Sequence, residues 1–185
     1  MGKLKRLSHT LVRSGAIIDV YDDEMLLPNG EIEHWDIVKH RQGAAAIVPV
    51  LPNGDIILVK QYRPALERYT WELPAGCRDA VDEPMEVTSK RELEEETGYT
   101  SDSFTRLVSL KTTVAFCDEL VDVYLASDVY KIGEQHLDPA EDIEIKTFTL
   151  NELLDKIYAG VIQDGKTVSG ILAYYGKLRW WDPKN

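Results

Sequence analysis

The sequence is poor in cysteine and in long apolar runs, and each shortage excludes a class of protein. Its two cysteines, Cys77 and Cys117, form no CxxC pair and accompany no clear set of histidines. We therefore expect reduced thiols rather than a zinc site or a disulfide framework. No apolar run is long enough to span a bilayer, and residues 1–6 lack the apolar core of a signal peptide. These absences lead us to expect a cytoplasmic protein.

The sequence also lacks a basic tract, and its overall charge is strongly negative. Asp and Glu outnumber Lys and Arg by 32 to 21, which gives a formal net charge of −11 at pH 7. A chain of this charge is a poor match for nucleic-acid backbones and anionic membranes, so we expect neither as a partner. The hydrophobic content of 44% over 185 residues is enough for one folded core.

The first part of the chain contains short alternating segments that are typical of β-strands. Residues 17–21, 24–27 and 33–38 alternate in this way around the turn Pro28-Asn29-Gly30. This pattern predicts a small antiparallel appendage over residues 1–40.

The main domain is predicted over residues 41–185. Two strands, 44–50 and 55–62, flank a second turn signal, Pro52-Asn53-Gly54. The other predicted elements are strands near 104–112, 120–125 and 143–150, and helices near 150–159 and 166–178. Mixed strands flanked by helices predict an α/β/α sandwich.

The densest cluster of charge lies between residues 82 and 98. A proline near the start of this segment and a glycine at its end predict a helix of about four turns. Glu95 and Glu96 follow Glu92 by three and four residues, so all three carboxylates emerge on one side of that helix. Glu94 points elsewhere.

The acidic residues lie at the end of the helix where the macrodipole is negative. That position costs about 0.3–1 kcal/mol for each carboxylate, and only Lys90 and Arg91 are nearby to offset it. One interpretation is a solvated acidic face. The other is a site for a hard divalent cation, Mg²⁺ or Mn²⁺, which prefers oxygen ligands. The second is favoured, because a surface helix more naturally carries Lys or Arg in its last turn.

The spacing in this region resembles the Nudix box, the signature of hydrolases that cleave nucleoside diphosphates linked to another group. The matching residues are Gly76, Glu83 and the run Arg91-Glu92-Leu93-x-Glu95-Glu96-x-Gly98-Tyr99. Six residues separate Gly76 from Glu83 where the family pattern has five, and the extra residue falls in the loop before the helix. The resemblance implies the Nudix fold, an α/β/α sandwich around a mixed sheet.

The resemblance also assigns roles to individual residues. The carboxylates that match the metal ligands of the family are Glu92, Glu95 and Glu96. The backbone carbonyl of Ala75 is expected to join them. Arg91 is expected to orient a glutamate in catalysis, and Glu83 to be a structural partner at the other end of the helix.

Residues 61–63 and 71–76 are similar to segments of ADP-ribose and nucleoside-diphosphate-sugar pyrophosphatases. Within them, Arg63 is the candidate for a phosphate contact, since a guanidinium group is planar, always charged and able to bind a diphosphate through two donors. The alternative is a surface arginine that is paired with Glu67 or Glu72.

Hydrolysis also needs a base that activates water, and the helix carboxylates are assigned to the metal. In the ADP-ribose subgroup the base lies on a loop after the box, in an acidic stretch before a strand, and residues 138–145 match that place. Glu141 is our first choice because it lies on the loop, with a solvated glutamate as the alternative. Glu144 is second, since it falls within the strand. Glu119 matches another acidic position of the subgroup and is a candidate for substrate or metal binding.

The resemblance implies Mg²⁺-dependent hydrolysis of ADP-ribose to AMP and ribose 5-phosphate, or of a related nucleoside diphosphate sugar. The subgroup usually has a proline downstream of the box where this chain has Val114-Ala115, so the substrate within this class stays open. A Nudix-fold sensor or regulatory module that binds a nucleotide without cleaving it is the alternative function. The N-terminal strands are similar to an appendage that pairs subunits in related pyrophosphatases, so we expect a homodimer.

Overall fold

The computed structural model describes residues 2–139 and 142–180. The chain divides into two compact units. The first comprises Met1–Gly43 and Lys111–Leu120, and the second comprises Ala44–Leu110 and Val121–Asn185.

The first unit contains a four-stranded antiparallel sheet. Its strands are β1 (Lys5–Arg6), β2 (Thr10–Ser14), β3 (Ile18–Leu26) and β4 (Ile32–His40). Each of the other three strands pairs with β3. The predicted antiparallel strands are present, but β3 is one continuous strand where the sequence predicted two short ones.

A buried aspartate near the middle of β3 explains why the strand is continuous. Asp23 is fully buried, and it is paired with Arg6, whose Nε lies 2.7 Å from Oδ2, and with the ring of His9. A buried carboxylate is tolerated when cations and donors surround it. The predicted segment ended at residue 21, just before Asp22 and Asp23, and aspartate is depleted in strands.

The second unit contains three helices and two larger sheets among its described residues. The helices are α1 (Met85–Thr97), α2 (Leu150–Tyr158) and α3 (Gly165–Arg179). The strands are β5 (Ala44–Pro49), β6 (Ile56–Arg63), β7 (Arg68–Glu72), β8 (Ala75–Cys77), β9 (Tyr99–Thr100), β10 (Ser103–Lys111), β11 (Leu120–Ser127), β12 (Tyr130–Lys131) and β13 (Ile143–Phe148). The sheet orders are β10-β11-β5-β8 and β13-β6-β7, and β9 pairs with β12.

The turn signal Pro52-Asn53-Gly54 is typical of a hairpin, but the strands on either side of it pair mainly with other strands. β5 pairs in parallel with β11 and antiparallel with β8, while β6 pairs with β7 and β13. A single bridge between Val50 and Ile56 joins the two segments. All of β5 is buried, which is typical of a strand with parallel neighbours rather than of a hairpin arm.

Alternate residues of β5 enter two different cores. Val48 packs in a cluster with Leu58 and with Ile171 of α3, whereas Ile47 packs with Ile57 and with Leu93 of α1. Helices therefore cover both faces of the strands, and the predicted α/β/α arrangement is confirmed. In this arrangement α1 lies against β5 and also against β8, and β8 carries Gly76.

Candidate active site

The acidic helix α1 has well-defined ends. Pro84 is its N-cap residue, and Gly98 follows the last turn with φ 72° and donates its N–H to the Glu94 carbonyl at 2.9 Å. Glycine suits this left-handed position because it has no Cβ. The helix begins at Met85, slightly later than predicted, since Glu83 instead folds back on the preceding loop.

Glu83 closes the start of α1. Its Oε2 accepts hydrogen bonds from the Asp79 N–H at 3.0 Å and from the Thr88 hydroxyl at 2.8 Å. These two bonds lower the pKa of Glu83 below its ordinary value. Its contacts are those of a residue that orders the loop and the first turn.

Glu92 and Glu96 are buried, although both are acidic. Their exposed fractions are 8% and 2%, so a solvated acidic face does not describe them. The Glu92 carboxylate lies directly over Gly76, where an added Cβ would be 2.2 Å from Oε1. Glu96 Oε2 accepts the N–H of Ala75 at 3.0 Å. The strand β8 therefore forms a cradle for two of the predicted metal ligands.

Arg91 is the cation within this cluster. Its Nη1 donates to Glu92 Oε1 at 2.7 Å and to Glu95 Oε2 at 3.0 Å, and its Nη2 donates to the Cys77 carbonyl at 2.9 Å. Burial by itself lowers the pKa of Arg91, but the negative charge of Glu92 and the bond to Glu95 outweigh it and raise the pKa. One guanidinium group thus holds two of the acidic side chains.

The residues fit a hard divalent cation in their chemistry. Carboxylate oxygens are the ligands that such ions prefer, and a positive group already lies between Glu92 and Glu95. Among the described residues, no three acidic, histidine or cysteine side chains are already arranged as a metal site. An ion bound by both glutamates would therefore compete with Arg91 for their oxygens.

Arg63 lies at the end of β6 and forms a two-point ion pair. Its Nε and Nη2 donate to the two carboxylate oxygens of Glu72 at 2.7 and 2.6 Å. This is the pairing that the sequence analysis named as the alternative to a phosphate contact. The side chain of Arg63 remains 38% exposed, so part of the guanidinium group stays accessible to a ligand.

Glu72 has a second cationic partner that the sequence analysis missed. Lys166, in the first turn of α3, contacts Glu72 Oε2 and lies 3.0 Å from Asp164 Oδ2. Burial alone raises the pKa of Glu72, but Arg63 and Lys166 outweigh it and lower the pKa to about 2. The signal in the sequence was a lysine at the helix end where the macrodipole disfavours positive charge.

The two candidate bases are placed differently. Glu141 lies outside the described residues. Glu144 is on β13 opposite Lys60 of β6, and the Lys60 ammonium group donates to its Oε2 at 3.0 Å. The side chain of Glu144 is 63% exposed, which is typical of a cross-strand surface pair.

Glu119 belongs to the first unit, unlike the other predicted site residues that the structure describes. Its Oε2 accepts the Thr112 hydroxyl at 2.7 Å, and its Oε1 lies 3.7 Å from His40 Nε2. Both partners are in the same unit. Within that unit Glu119 is one member of a local polar cluster.

A cavity of about 680 Å³ lies along the solvent-facing side of α1 and includes Lys90, Phe104 and His136 in its lining. Its volume falls in the range of small-molecule pockets. It meets the acidic cluster only through Arg91 and Glu95, because Glu92 and Glu96 point into the protein.

Comparison with known proteins identifies the family of this chain. The family model described as the NUDIX domain matches residues 40–168. The chain belongs to the Nudix family. It is a Nudix hydrolase, and the members of that family generally use divalent metal ions.

Individual relatives cover nearly the whole chain. An ADP-ribose pyrophosphatase of Bacillus subtilis is 40% identical over 168 residues, 90% of each chain. A methanol dehydrogenase activator of Bacillus methanolicus is 36% identical over 92% of this chain and 94% of its own. A crystal structure of an ADP compounds hydrolase superposes with a TM-score of 0.85, at 20% identity and over 97% of this chain and 96% of that one. The last comparison shows the shared fold.

Two further features bear on the sequence predictions. Cys77 and Cys117 are both partly buried, and no disulfide joins them in the structure. Among the described residues, none of the helices combines the length and the apolar character that a membrane crossing requires.

Proposed function

We propose that this Nudix hydrolase cleaves the diphosphate bond of ADP-ribose, or of a related nucleoside diphosphate sugar, with Mg²⁺ or Mn²⁺ as cofactor. ADP-ribose would give AMP and ribose 5-phosphate. The observation that carries the proposal is the pair of buried carboxylates, Glu92 and Glu96, held against β8 at the end of α1. The similarity to an ADP-ribose pyrophosphatase along nearly the whole chain supports the substrate class.

The proposed metal ligands are Glu92, Glu95, Glu96 and the carbonyl of Ala75. A divalent ion bound there would lower the pKa of a bound water and neutralise charge on the phosphoryl oxygens. Arg91 orients Glu92 and Glu95 through the two bonds of its Nη1. Burial of Glu92 and Glu96 would strengthen their attraction for a bound cation.

The substrate and the attacking water need further groups from this chain. Arg63 is proposed to contact a phosphate through the part of its guanidinium group that Glu72 leaves accessible. Glu141 is proposed to remove the proton of the attacking water, with Glu144 as the second choice. Glu144 is already paired with Lys60 on a strand, which favours Glu141. Glu119 is proposed to assist substrate or metal binding.

Regulation of another enzyme is the second candidate function. The match to the relative named a methanol dehydrogenase activator covers 94% of that relative's length. This similarity supports a role in activating a partner enzyme. A pure nucleotide sensor is less well supported, because the three glutamates that are proposed to bind the metal are all present.

A homodimer and a cytoplasmic location belong to the same proposal. Several apolar side chains of the first unit are more than half exposed: Leu11, Val12, Ile17 and Ile32. Exposed apolar groups of this kind suit a subunit interface. Light scattering at micromolar concentration should give twice the monomer mass of 21.0 kDa, and the monomer mass itself would exclude the dimer.

A substrate screen tests the proposed function. Nucleoside diphosphate sugars, with ADP-ribose first, are incubated with the protein and Mg²⁺ or Mn²⁺, and the nucleoside monophosphate released is measured by chromatography. The proposal expects AMP from ADP-ribose, or the corresponding monophosphate from another member of the class. Binding of ADP-ribose without release of AMP, and no turnover of the other compounds, would favour the sensor.

A further inference from the structure

A cavity of about 430 Å³ lies between the second half of α3 and the strand β10. Its volume falls in the range of small-molecule pockets. The residues that line it come from β10, α3 and the residue that caps α3: Arg106, Leu107, Ala173, Gly176, Lys177 and Trp180. The last four are three, one and three residues apart, so they form one stripe along the helix.

The position of α3 on the sheet explains why this space is open. The helix packs on β5, and β10 lies two strands away in the order β10-β11-β5-β8. Neighbouring strands are about 4.8 Å apart, so β10 lies beyond the side of a helix that covers β5. Ile171 of α3 packs in the cluster of Val48, whereas Leu93 of α1 packs in the cluster of Ile47. The cavity is therefore on the opposite side of the sheet from the acidic helix.

Gly176 leaves room on the helix side of the cavity. A second glycine of α3, Gly170, must be small, because an added Cβ would lie 2.6 Å from Leu73 Cδ1. At Gly176 no described atom lies within 4 Å of the same position. Glycine is a poor helix former, and close packing does not explain its presence here. Its effect at this position is to keep the cavity open.

The charge around the cavity is positive, in contrast to the rest of the chain. Neither β10 nor α3 contains an acidic residue, although acids outnumber bases by 32 to 21 in the whole sequence. Lys177 is half-buried, and none of the described side chains forms an ion pair with it. Arg106 Nη1 lies 3.7 Å from Asp122 Oδ2, beyond hydrogen-bonding distance, and the Arg106 side chain is 62% exposed. Both cations can therefore reach an anion in the cavity.

Trp180 adds an aromatic surface at the end of the same stripe. Its ring meets the Tyr175 ring nearly at a right angle, with the centroids 5.5 Å apart, and the residue remains 78% exposed. An accessible indole ring can stack on a nucleobase. Compensation of the helix macrodipole accounts for cations in the last turn of α3, but not for Arg106 on another element, for the cavity or for Trp180.

We propose that this cavity is a second ligand site, for a small aromatic anion of the nucleoside monophosphate class. The phosphate binds to Lys177 and Arg106, and the base stacks on Trp180. A phosphate bound by two cations forms charge-assisted hydrogen bonds, which are the stronger kind. The site shares no residue with the acidic cluster of α1, so it does not depend on the proposed function.

Binding of AMP to the whole chain, measured by calorimetry in EDTA, is the first test. The chelator removes divalent ions, so a metal-dependent interaction with the α1 glutamates does not contribute. Adenosine lacks the anion, and inorganic phosphate lacks the ring. AMP should bind at least about tenfold more tightly than either compound. No binding of AMP, or equal binding of AMP and phosphate, would overturn the proposal.

Variants on α3 locate the site. Lys177→Gln should weaken AMP binding at least about tenfold, whereas Lys177→Arg keeps the charge and should stay within about threefold. Gly176→Met fills the cavity without removing a charge and should weaken binding at least about tenfold. The matched control is Arg179→Gln, because Arg179 carries the same charge in the same turn but contacts the Tyr175 ring and does not line the cavity. It should stay within about threefold.

Two results with these variants would overturn the proposal. Equal losses in Lys177→Gln and Arg179→Gln would show that AMP responds only to the general charge of the helix end. A loss in Arg63→Gln together with native affinity in Lys177→Gln and Gly176→Met would place AMP at the proposed phosphate contact instead. Melting temperatures measured for every variant show that each one is folded.

Amide hydrogen exchange gives an independent location. AMP in EDTA should slow exchange in residues 103–111 and 173–180 and leave α1 unchanged. Slower exchange in α1 without a change in those two segments would overturn the proposal. Neither measurement uses turnover, so failure of the proposed hydrolysis and failure of this site are distinguished.

Discussion

The last turn of α1 and the first turn of α3 both carry charge where the helix macrodipole disfavours it. α1 ends in acidic residues with no basic residue in its last turn, and α3 has Lys166 in its first turn. The lysine is fully compensated inside the chain, because Glu72 and Asp164 both contact it. The α1 acids have Arg91 as their shared cation, so negative charge remains in excess among them.

This difference distinguishes the cluster around Lys166, which is structural, from the acidic end of α1, which is the proposed binding site. A charge in the unfavourable position needs a tertiary partner, and the partner of Lys166 is already present. The remaining negative charge beside Arg91 is what a divalent cation would neutralise. Changes at α1 should therefore affect catalysis more than stability, and changes around Glu72 should do the reverse.

The largest effect is expected from Glu92→Gln. The substitution keeps the shape of the side chain and removes one negative charge from the proposed metal ligands. Metal catalysis contributes several kcal/mol of transition-state stabilisation, so we expect kcat for ADP-ribose with Mg²⁺ to fall about 1,000-fold.

The control for that substitution is Glu94→Gln on the same helix. Glu94 Oε1 accepts the Thr100 hydroxyl at 2.7 Å and lies outside the acidic cluster. Its kcat should stay within about threefold of the native value. Equal losses in the two variants would show that helix charge in general, and not this cluster, supports turnover.

The next effect is expected on stability from Glu72→Gln. The change leaves Arg63 and Lys166 without the carboxylate that they share, and breaking a buried pair is strongly destabilising. We expect the free energy of unfolding to fall by about 2 kcal/mol, less than for a fully buried pair because Arg63 is partly exposed. Urea denaturation measures this value. As a control, Glu134→Gln removes only a surface pair with Lys131 and should change this value by less than about 0.5 kcal/mol. A similarly small change in Glu72→Gln would contradict the buried ion pair.

A smaller catalytic effect is expected from Gly76→Ala. The added methyl group would occupy the position of the Glu92 carboxylate, so that carboxylate must move away from β8. We expect a loss in kcat of about 10- to 100-fold, with the melting temperature little changed. Gly176→Ala on α3 adds a methyl group where no atom lies within 4 Å, and it should leave kcat unchanged. Full activity in Gly76→Ala would show that Glu92 is not needed at this position.

The smallest effect is a pH dependence of stability. The folded-state pKa of Glu72 is about 2, below the ordinary value of 4.5. A lowered pKa stabilises the protein above pH 4.5, and this stabilisation is lost as the pH falls toward 2. The stability difference between native protein and Glu72→Gln should therefore shrink across that interval. A difference that is constant between pH 6 and pH 3 in urea denaturation would contradict the ion pair.

The sequence predicted the features that depend on local spacing. The helix carrying Glu92, Glu95 and Glu96 could be placed because Pro84, Gly98 and the residue spacing are all local signals. The strand β7 was missed, although Tyr69 and Trp71 alternate with polar residues in Arg68-Tyr69-Thr70-Trp71-Glu72, a pattern that is typical of a half-buried strand.

Partners that are distant in the sequence could not be predicted in the same way. Lys166 is 94 residues from Glu72, and Gln135 is 39 residues from Glu96. The first contact arises only when β7 and α3 pack together, and the second only when the segment after β12 packs against α1. The buried position of Glu92 over Gly76 is likewise a result of packing, although the charge of the segment already indicated a metal.

Mn²⁺ binding followed by electron paramagnetic resonance tests most directly whether the end of α1 is a metal site. Free Mn²⁺ is measured during titration of native protein, Glu92→Gln and Glu94→Gln, without substrate. The native protein and Glu94→Gln should bind Mn²⁺ alike, and Glu92→Gln should bind it at least about tenfold more weakly. Equal binding by Glu92→Gln and native protein would show that the ion is held elsewhere, and the proposed site would be wrong.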